Sequence, residues 1–301
     1  APFMREGAVR RILRDCADSV AVTCITRWNP VEILQEVSDL RVWDLFKARP
    51  RSKMLLCSRL HAKLFRSEKQ CLVGSANLTL KGLGWVTQSN LELLVNVPIE
   101  SRSVAEFERI LLRHVVEATE EIRDEVALAV EALRGAVGVT PRLAVEPPGL
   151  DNSGGFEADI GCADQPSVLW YPTCNVPERL YDAYCNNPTT MSGNNYRDAC
   201  NDIKRLEIAQ GLDSQGFVIN LRASFRMVPL VVQFEEYLAG HTRNWNEINA
   251  WCRAVCLGEV QGTVDEKIWQ VLRNWLIFLL GARYQRLNTP RGEEWLLAHG
   301  V

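Results

Sequence analysis

The sequence predicts an α/β fold over its first part, a mixed β-sheet layered with helices, followed by a mostly helical C-terminal domain. Three observations carry that prediction. Short apolar or alternating runs recur between amphipathic stretches up to residue 133. A stretch rich in proline and glycine, 135–166, then breaks the pattern with Pro147-Pro148-Gly149 and Ser153-Gly154-Gly155. Beyond it, apolar residues fall mainly at helical spacing. The expected organisation is a first domain at 1–135, a linker or insert at 136–166, and a helical or α+β domain at 167–301.

Taken in order, 6–18 has the spacing of an amphipathic helix, and 19–27 reads as a buried strand through Val20, Val22, Cys24 and Ile25. Residues 30–48 read as one helix. Two strand-like runs, 55–67 and 70–73, are joined by a tight turn, and 91–97 reads as a further strand. Residues 103–133 carry one long helical pattern, apolar at Phe107, Leu111, Val115, Ile122 and Val126. In the second domain 168–171 and 217–221 read as short strands, and 235–238, 245–257, 264–281 and 293–297 as helices. Trp269, Leu272, Trp275, Leu276 and Leu279 form one apolar stripe, the pattern of a helix facing a core. The stretch from Arg283 to Gly292 fits the turn and hairpin of a winged-helix module, with Arg283, Arg286 and Arg291 near phosphates. A packing or dimerisation domain is the other reading.

Composition narrows the class. With 301 residues, 47% hydrophobic and 24% charged, the chain has material for two ordinary cores. The longest apolar run, 275–282, is too short to span a bilayer, so no membrane association is expected. The first residues carry no apolar leader, and a cytoplasmic location is expected. The absence of a start Met before Ala1 suggests that residues ahead of it were trimmed or numbered away. Ten cysteines include no C-x-x-C pair, which argues for reduced thiols and against a zinc site.

One segment reads as chemistry: His61-Ala62-Lys63, then Glu68 in the turn, then Gly74-Ser75-Ala76-Asn77. Residues two apart on a strand share a face, which sets His61 beside Lys63. The same rule groups Ser75 with Asn77 if the second strand stays extended. A hairpin would bring imidazole, ammonium, hydroxyl and amide to one spot, a set suited to a phosphate diester.

This pattern resembles the signature of the phospholipase D superfamily, H-x-K-x4-D followed by G-S-x-N. His61, Lys63, Ser75 and Asn77 fall on it. Glu68 stands where the family usually has Asp, and the turn after it is about one residue short. The surroundings, Ala1-Pro2-Phe3, Gly82-Leu83-Gly84 and Asn90-Leu91-Glu92, resemble the nuclease-like branch. The resemblance covers roughly 1–135 and implies a phospholipase D-like sheet there. It also implies that Glu92 is the carboxylate bonded to the catalytic histidine. His61 would attack phosphorus to give a phosphohistidine, with Lys63 and Asn77 on the non-bridging oxygens and Ser75 adding a hydrogen bond.

The leaving oxygen needs a second acid. The other histidines, His114, His241 and His299, carry no motif, so one motif per chain implies a homodimer that pairs His61 with its copy. The scheme requires no metal and no cofactor. The net charge of −3 argues against a generic nucleic-acid binder, yet 41–69 holds nine basic residues against Asp44 and Glu68. Lys47, Arg49, Arg51, Lys53, Arg59 and Arg66 are the expected contacts to nucleic acid, DNA favoured. The expected function is a metal-independent DNA-cleaving endonuclease. The resemblance suggests restriction or anti-phage defence, with further protein partners in such a system. A phospholipase D-type lipid phosphodiesterase and an inactive nuclease-fold scaffold are the alternatives.

Overall fold

In the computed structural model, which describes residues 1–136, 169–257, 267–290 and 292–298, the chain separates into two units, Ala1–Gly135 and Ala136–Val301. Both combine helices with small sheets, an α/β composition. The linker at 136–166 lies almost wholly outside the described residues, as do Cys162, Arg291 and His299.

In the first unit, α1 (Glu6–Asp15) buries Ala8 and Val9. Strand β1 (Val22–Thr26) pairs in parallel with β2 (Ser52–Leu56), Cys24 lying beside Met54. A parallel pair needs a crossover, supplied by α2 (Pro30–Leu34) and α3 (Val42–Lys47). Asn29 caps α2 by accepting the Val31 N–H at 2.9 Å, with Pro30 at the first helical position. The single helix expected at 30–48 is therefore two. Glu36 takes a φ of 58°, a left-handed turn that no helix continues through.

Strands β3 (Lys63–Arg66), β4 (Cys71–Gly74) and β5 (Leu94–Val97) form a second, antiparallel sheet in that order. The strand expected at 55–67 is thus divided between two sheets. A turn after β2, with the Leu60 N–H donating to the Cys57 carbonyl at 3.0 Å, separates the halves. Residues 1–5 link the sheets. The Thr26 hydroxyl donates to the Pro2 carbonyl at 2.8 Å, and Met4 bridges in parallel to Leu78.

The long helical pattern at 103–133 is also interrupted. Helix α4 (Arg102–Arg113) ends at His114, β6 (Val116–Glu117) pairs with the end of β2, and α5 (Glu120–Gly135) follows. Thr119 starts α5 by accepting the Ile122 N–H at 3.2 Å. Val42, Met54, Leu56, Val116, Val126 and Val130 are buried in this unit's core.

The second unit runs α6 (Leu180–Tyr184), α7 (Gly193–Arg205), α8 (Ser214–Arg226), α9 (Pro229–Leu238), β7 (Arg243–Asn244), α10 (Trp245–Leu257) and α11 (Ile268–Leu280). The hairpin β8 (Tyr284–Thr289) and β9 (Gly292–Leu297) closes it, with β9 between β7 and β8. The expected strand at 217–221 lies inside α8. Asp213 begins that helix by accepting the Gly216 N–H at 2.7 Å. Residues 169–171 are not a strand. The helix expected at 293–297 is β9, which Gly292 enters with a φ of 104°.

Trp269, Leu272, Trp275, Leu276 and Leu279 are all buried, so the stripe is core. Arg283 is not a surface cation. It donates to Glu235 at 2.8 Å, and Arg226 meets the same carboxylate at 2.7 Å. Among the described residues no single helix is long and apolar enough to cross a membrane. Helices α8 and α9 pass together by composition, but they bend by 68° and supply buried residues such as Phe225 and Phe234.

Candidate active site

The ladder of β3 with β4 places Lys63 opposite Gly74, and that of β4 with β5 places Gly74 opposite Leu94. The end of the H-x-K segment, the start of G-S-x-N and the chain just after Glu92 therefore meet on three adjacent strands. Gly74 is required there. A Cβ at this position would lie 1.9 Å from the Leu93 carbonyl oxygen.

Beyond Gly74 the strand ends in a bend at Ser75, whose N–H donates to the Leu93 carbonyl at 3.0 Å. In an unbroken ladder Ser75 and Lys63 would face opposite sides of the sheet, because Lys63 shares a face with Gly74. The bend lets the Ser75 hydroxyl reach Glu92, to which it donates, while accepting the Leu93 N–H at 3.0 Å. The Asn90 amide donates to the other Glu92 oxygen at 3.0 Å. The Ser75 hydroxyl, the Asn90 amide and the Lys63 charge hold the Glu92 carboxyl below the usual carboxylate range.

Asn77 lies between buried Ala76 and Leu78, and its side-chain oxygen accepts the Phe3 N–H at 3.3 Å. A backbone N–H can bond only to the oxygen of the amide. That bond fixes the orientation and leaves the NH2 as the outward donor. Gly82 packs against the same residue, and a Cβ there would lie 2.6 Å from the Asn77 carbonyl oxygen.

His61 is exposed, just ahead of β3, and its carbonyl accepts from Lys63 Nζ at 2.9 Å. Its imidazole makes no hydrogen bond among the described residues. The expected Glu92–imidazole bond is not formed; the Glu92 oxygens accept from Ser75 and Asn90 instead. The structure thus groups Lys63, Ser75 and Glu92, adds Asn77 two residues from Ser75, and sets His61 at the entry of β3. Asn90 had no expected role. Its spacing of two from Glu92 was the available signal, since such a pair shares a strand face.

The expected basic band does not converge on this site. Lys47, Arg49, Arg51 and Lys53 lie at or before the start of β2, whereas His61 follows its end, so roughly 13 Å of strand separates them. Arg49 is structural: its side chain is 8% exposed, and it bonds Asp18 at 2.9 Å and the Cys16 carbonyl at 3.3 Å. Lys47 pairs with Glu120 at 2.8 Å, and Arg66 with Glu108. Arg51 reaches only the Ser19 carbonyl, at 3.5 Å. Arg59 is exposed in the turn before His61, and Arg66 ends β3 within the motif.

Among the described residues no group of three His, Cys, Asp or Glu side chains is placed to hold a metal, and the nine described cysteines are free thiols. Comparison with known proteins returned no matching family model, no matching curated relative and no matching solved structure.

Proposed function

We propose that this protein is a phosphodiesterase of the phospholipase D type that cleaves nucleic acid, DNA favoured, as a homodimer without metal. The observation that carries the reading is the meeting of Lys63, Ser75 and Glu92 at one end of the β3–β4–β5 sheet, with Asn77 oriented to donate. A phosphodiester is anionic, and a neutral imidazole nitrogen attacks it without charge repulsion. His61 forms the P–N bond while the P–O bond to the leaving strand breaks. The leaving alkoxide takes a proton from the imidazolium of a second copy. Water then attacks the phosphohistidine, giving its proton to that second imidazole, and His61 leaves. Lys63 and the Asn77 amide supply charge and hydrogen bonds to the non-bridging oxygens. On this reading the first unit is a phospholipase D-like half-site.

A second copy also accounts for an exposed stripe beside the site. Leu91, Leu93 and Val95 are 103%, 68% and 50% exposed, on and just before the edge strand β5. An apolar edge strand invites association, and Leu93 is bonded through its backbone to Ser75. We assign this stripe to the dimer contact, and Leu93→Asp is expected to give a monomer with little cleavage activity. The same exposed stripe favours a lipid surface as the second reading.

The second unit fits a winged-helix order, α9, β7, α10, α11, then the hairpin β8–β9. Helix α11 stands where such a module reads DNA, yet it is buried along most of its length, and its Arg273 is held by Glu293 at 2.9 Å. The module is proposed as a packing or docking domain.

The test incubates plasmid DNA, single-stranded nucleic acid and phosphatidylcholine vesicles with protein in chelator, beside His61→Ala. Nucleic-acid cleavage lost in the variant is the expected result. Choline release would replace this reading with a lipid phosphodiesterase, and inertness on every substrate with a scaffold.

A further inference from the structure

A cleft of about 750 Å³ opens beside the G-S-x-N segment, with Phe3, Asn77, Lys81, Val86, Gln88 and Asn90 among its walls. Two of these residues connect it to the candidate site: Asn77 belongs to the motif, and the Asn90 amide holds Glu92. The cleft is a built feature. The Trp85 N–H donates to the Leu80 carbonyl at 2.9 Å, and the Asn90 N–H to the Lys81 carbonyl at 3.1 Å, closing the loop so that Lys81 is fixed beside Asn90. Gly82 allows this loop to press on Asn77.

The chemistry of the walls is mixed in an informative way. Phe3 and Val86 are apolar, Gln88 carries an amide, and Lys81 is an exposed ammonium with no ion-pair partner among the described residues. The other lining cation, Arg5, is already engaged by Glu36. An apolar wall, a polar edge and one available positive charge next to a phosphate site fit a nucleotide better than an acyl chain, which has no use for the last two.

We propose that this cleft binds the nucleotide flanking the scissile phosphate, its base against Phe3 and Val86 and its next phosphate on Lys81. The inference rests on the phosphodiesterase reading and adds to it a subsite and a substrate class. It places the substrate path on the Asn77–Asn90 side of the motif, away from the basic residues at the start of β2.

The test compares wild type with Lys81→Ala on a short single-stranded oligonucleotide and on bis(p-nitrophenyl) phosphate, a diester without a flanking nucleotide. The loss of kcat/KM on the oligonucleotide is expected to exceed that on the small diester by roughly tenfold, the size of one charged hydrogen bond. In a His61→Ala background, binding of the same oligonucleotide should weaken with Lys81→Ala, and its log–log salt slope should fall by about 0.7. Equal losses on both diesters, or an unchanged salt slope, would overturn the subsite while leaving the phosphodiesterase standing. A wild type inert towards both diesters sinks the parent reading, and the subsite with it.

Discussion

Ser75 donates its one hydroxyl hydrogen to Glu92 and accepts the Leu93 N–H at 3.0 Å. In this arrangement the serine has no proton left for a substrate oxygen. On the proposed reading, the Ser75 hydroxyl must rotate away from Glu92, which keeps the Asn90 amide, before it can donate to a phosphate.

Glu92 is held ionised by Ser75, Asn90 and Lys63, so its carboxyl titrates below the ordinary value. Interactions that need this anion are present above its lowered pKa and are lost as pH falls through it. Asn90→Ala removes one donor and should move the titration upward, so that the loss begins at higher pH. A carboxyl NMR titration of Glu92 in both proteins checks this. Identical curves would show that Asn90 does not hold the carboxylate.

Gly74→Ala forces a Cβ to within 1.9 Å of the Leu93 carbonyl, and β5 must move. A destabilisation on the order of 1–3 kcal/mol is expected, as for overpacked interiors, with loss of the Ser75–Glu92 contact. Gly135→Ala is the control. An added Cβ there meets nothing within 4 Å at the end of α5, and the helix should gain up to about 1 kcal/mol. Chemical denaturation of the two variants separates close approach from a general effect of alanine.

Arg49 and Lys53 carry the same charge but should behave differently. Arg49→Ala strips partners from Asp18 and the carbonyls at the end of α1, with an expected cost of about 2–3 kcal/mol. Lys53→Ala removes an exposed side chain and should stay within about 0.5 kcal/mol. Neither is expected to change nucleic-acid affinity beyond its effect on folding. Denaturant midpoints and binding isotherms test both statements, and a selective loss of affinity in Lys53→Ala would restore the start of β2 to the binding surface.

Asp202 is 1% exposed and accepts the Thr173 and Cys174 N–H groups, at 2.9 and 2.8 Å. Burial outweighs these bonds and lifts its carboxyl to about 7. A carboxyl raised above its unfolded value binds more protons in the folded state. Its contribution is therefore full below the unfolded pKa near 4 and lost as pH rises through about 7. Thermal denaturation should show the second unit weakening between about pH 4 and pH 7, with Asp202→Asn flattening that slope. An unaltered slope in the variant assigns the dependence elsewhere.

Local signals were enough for part of this structure. Alternation and the turn at Glu68 located β3 and β4, and the stripe at Trp269, Trp275 and Leu279 marked a core helix, because period and turn chemistry act within a few residues. They fail where a partner decides. The run at 55–67 is divided because its halves pair with different neighbours, and 293–297 becomes a strand because β8 lies beside it. The segment 217–221 joins α8 because Asp213 caps a helix upstream of it.

For the candidate site, residue type and spacing in the sequence alone singled out His61, Lys63, Ser75 and Asn77 as candidates, and the resemblance they carry added Glu92. Tertiary structure decided how they meet. It bent Ser75 onto Glu92, gave Asn90 a role, fixed the Asn77 amide on Phe3 and turned Arg49 into a structural clamp. Residue type and spacing are encoded along the chain, whereas side-chain partners depend on which distant segments the fold brings within hydrogen-bond reach.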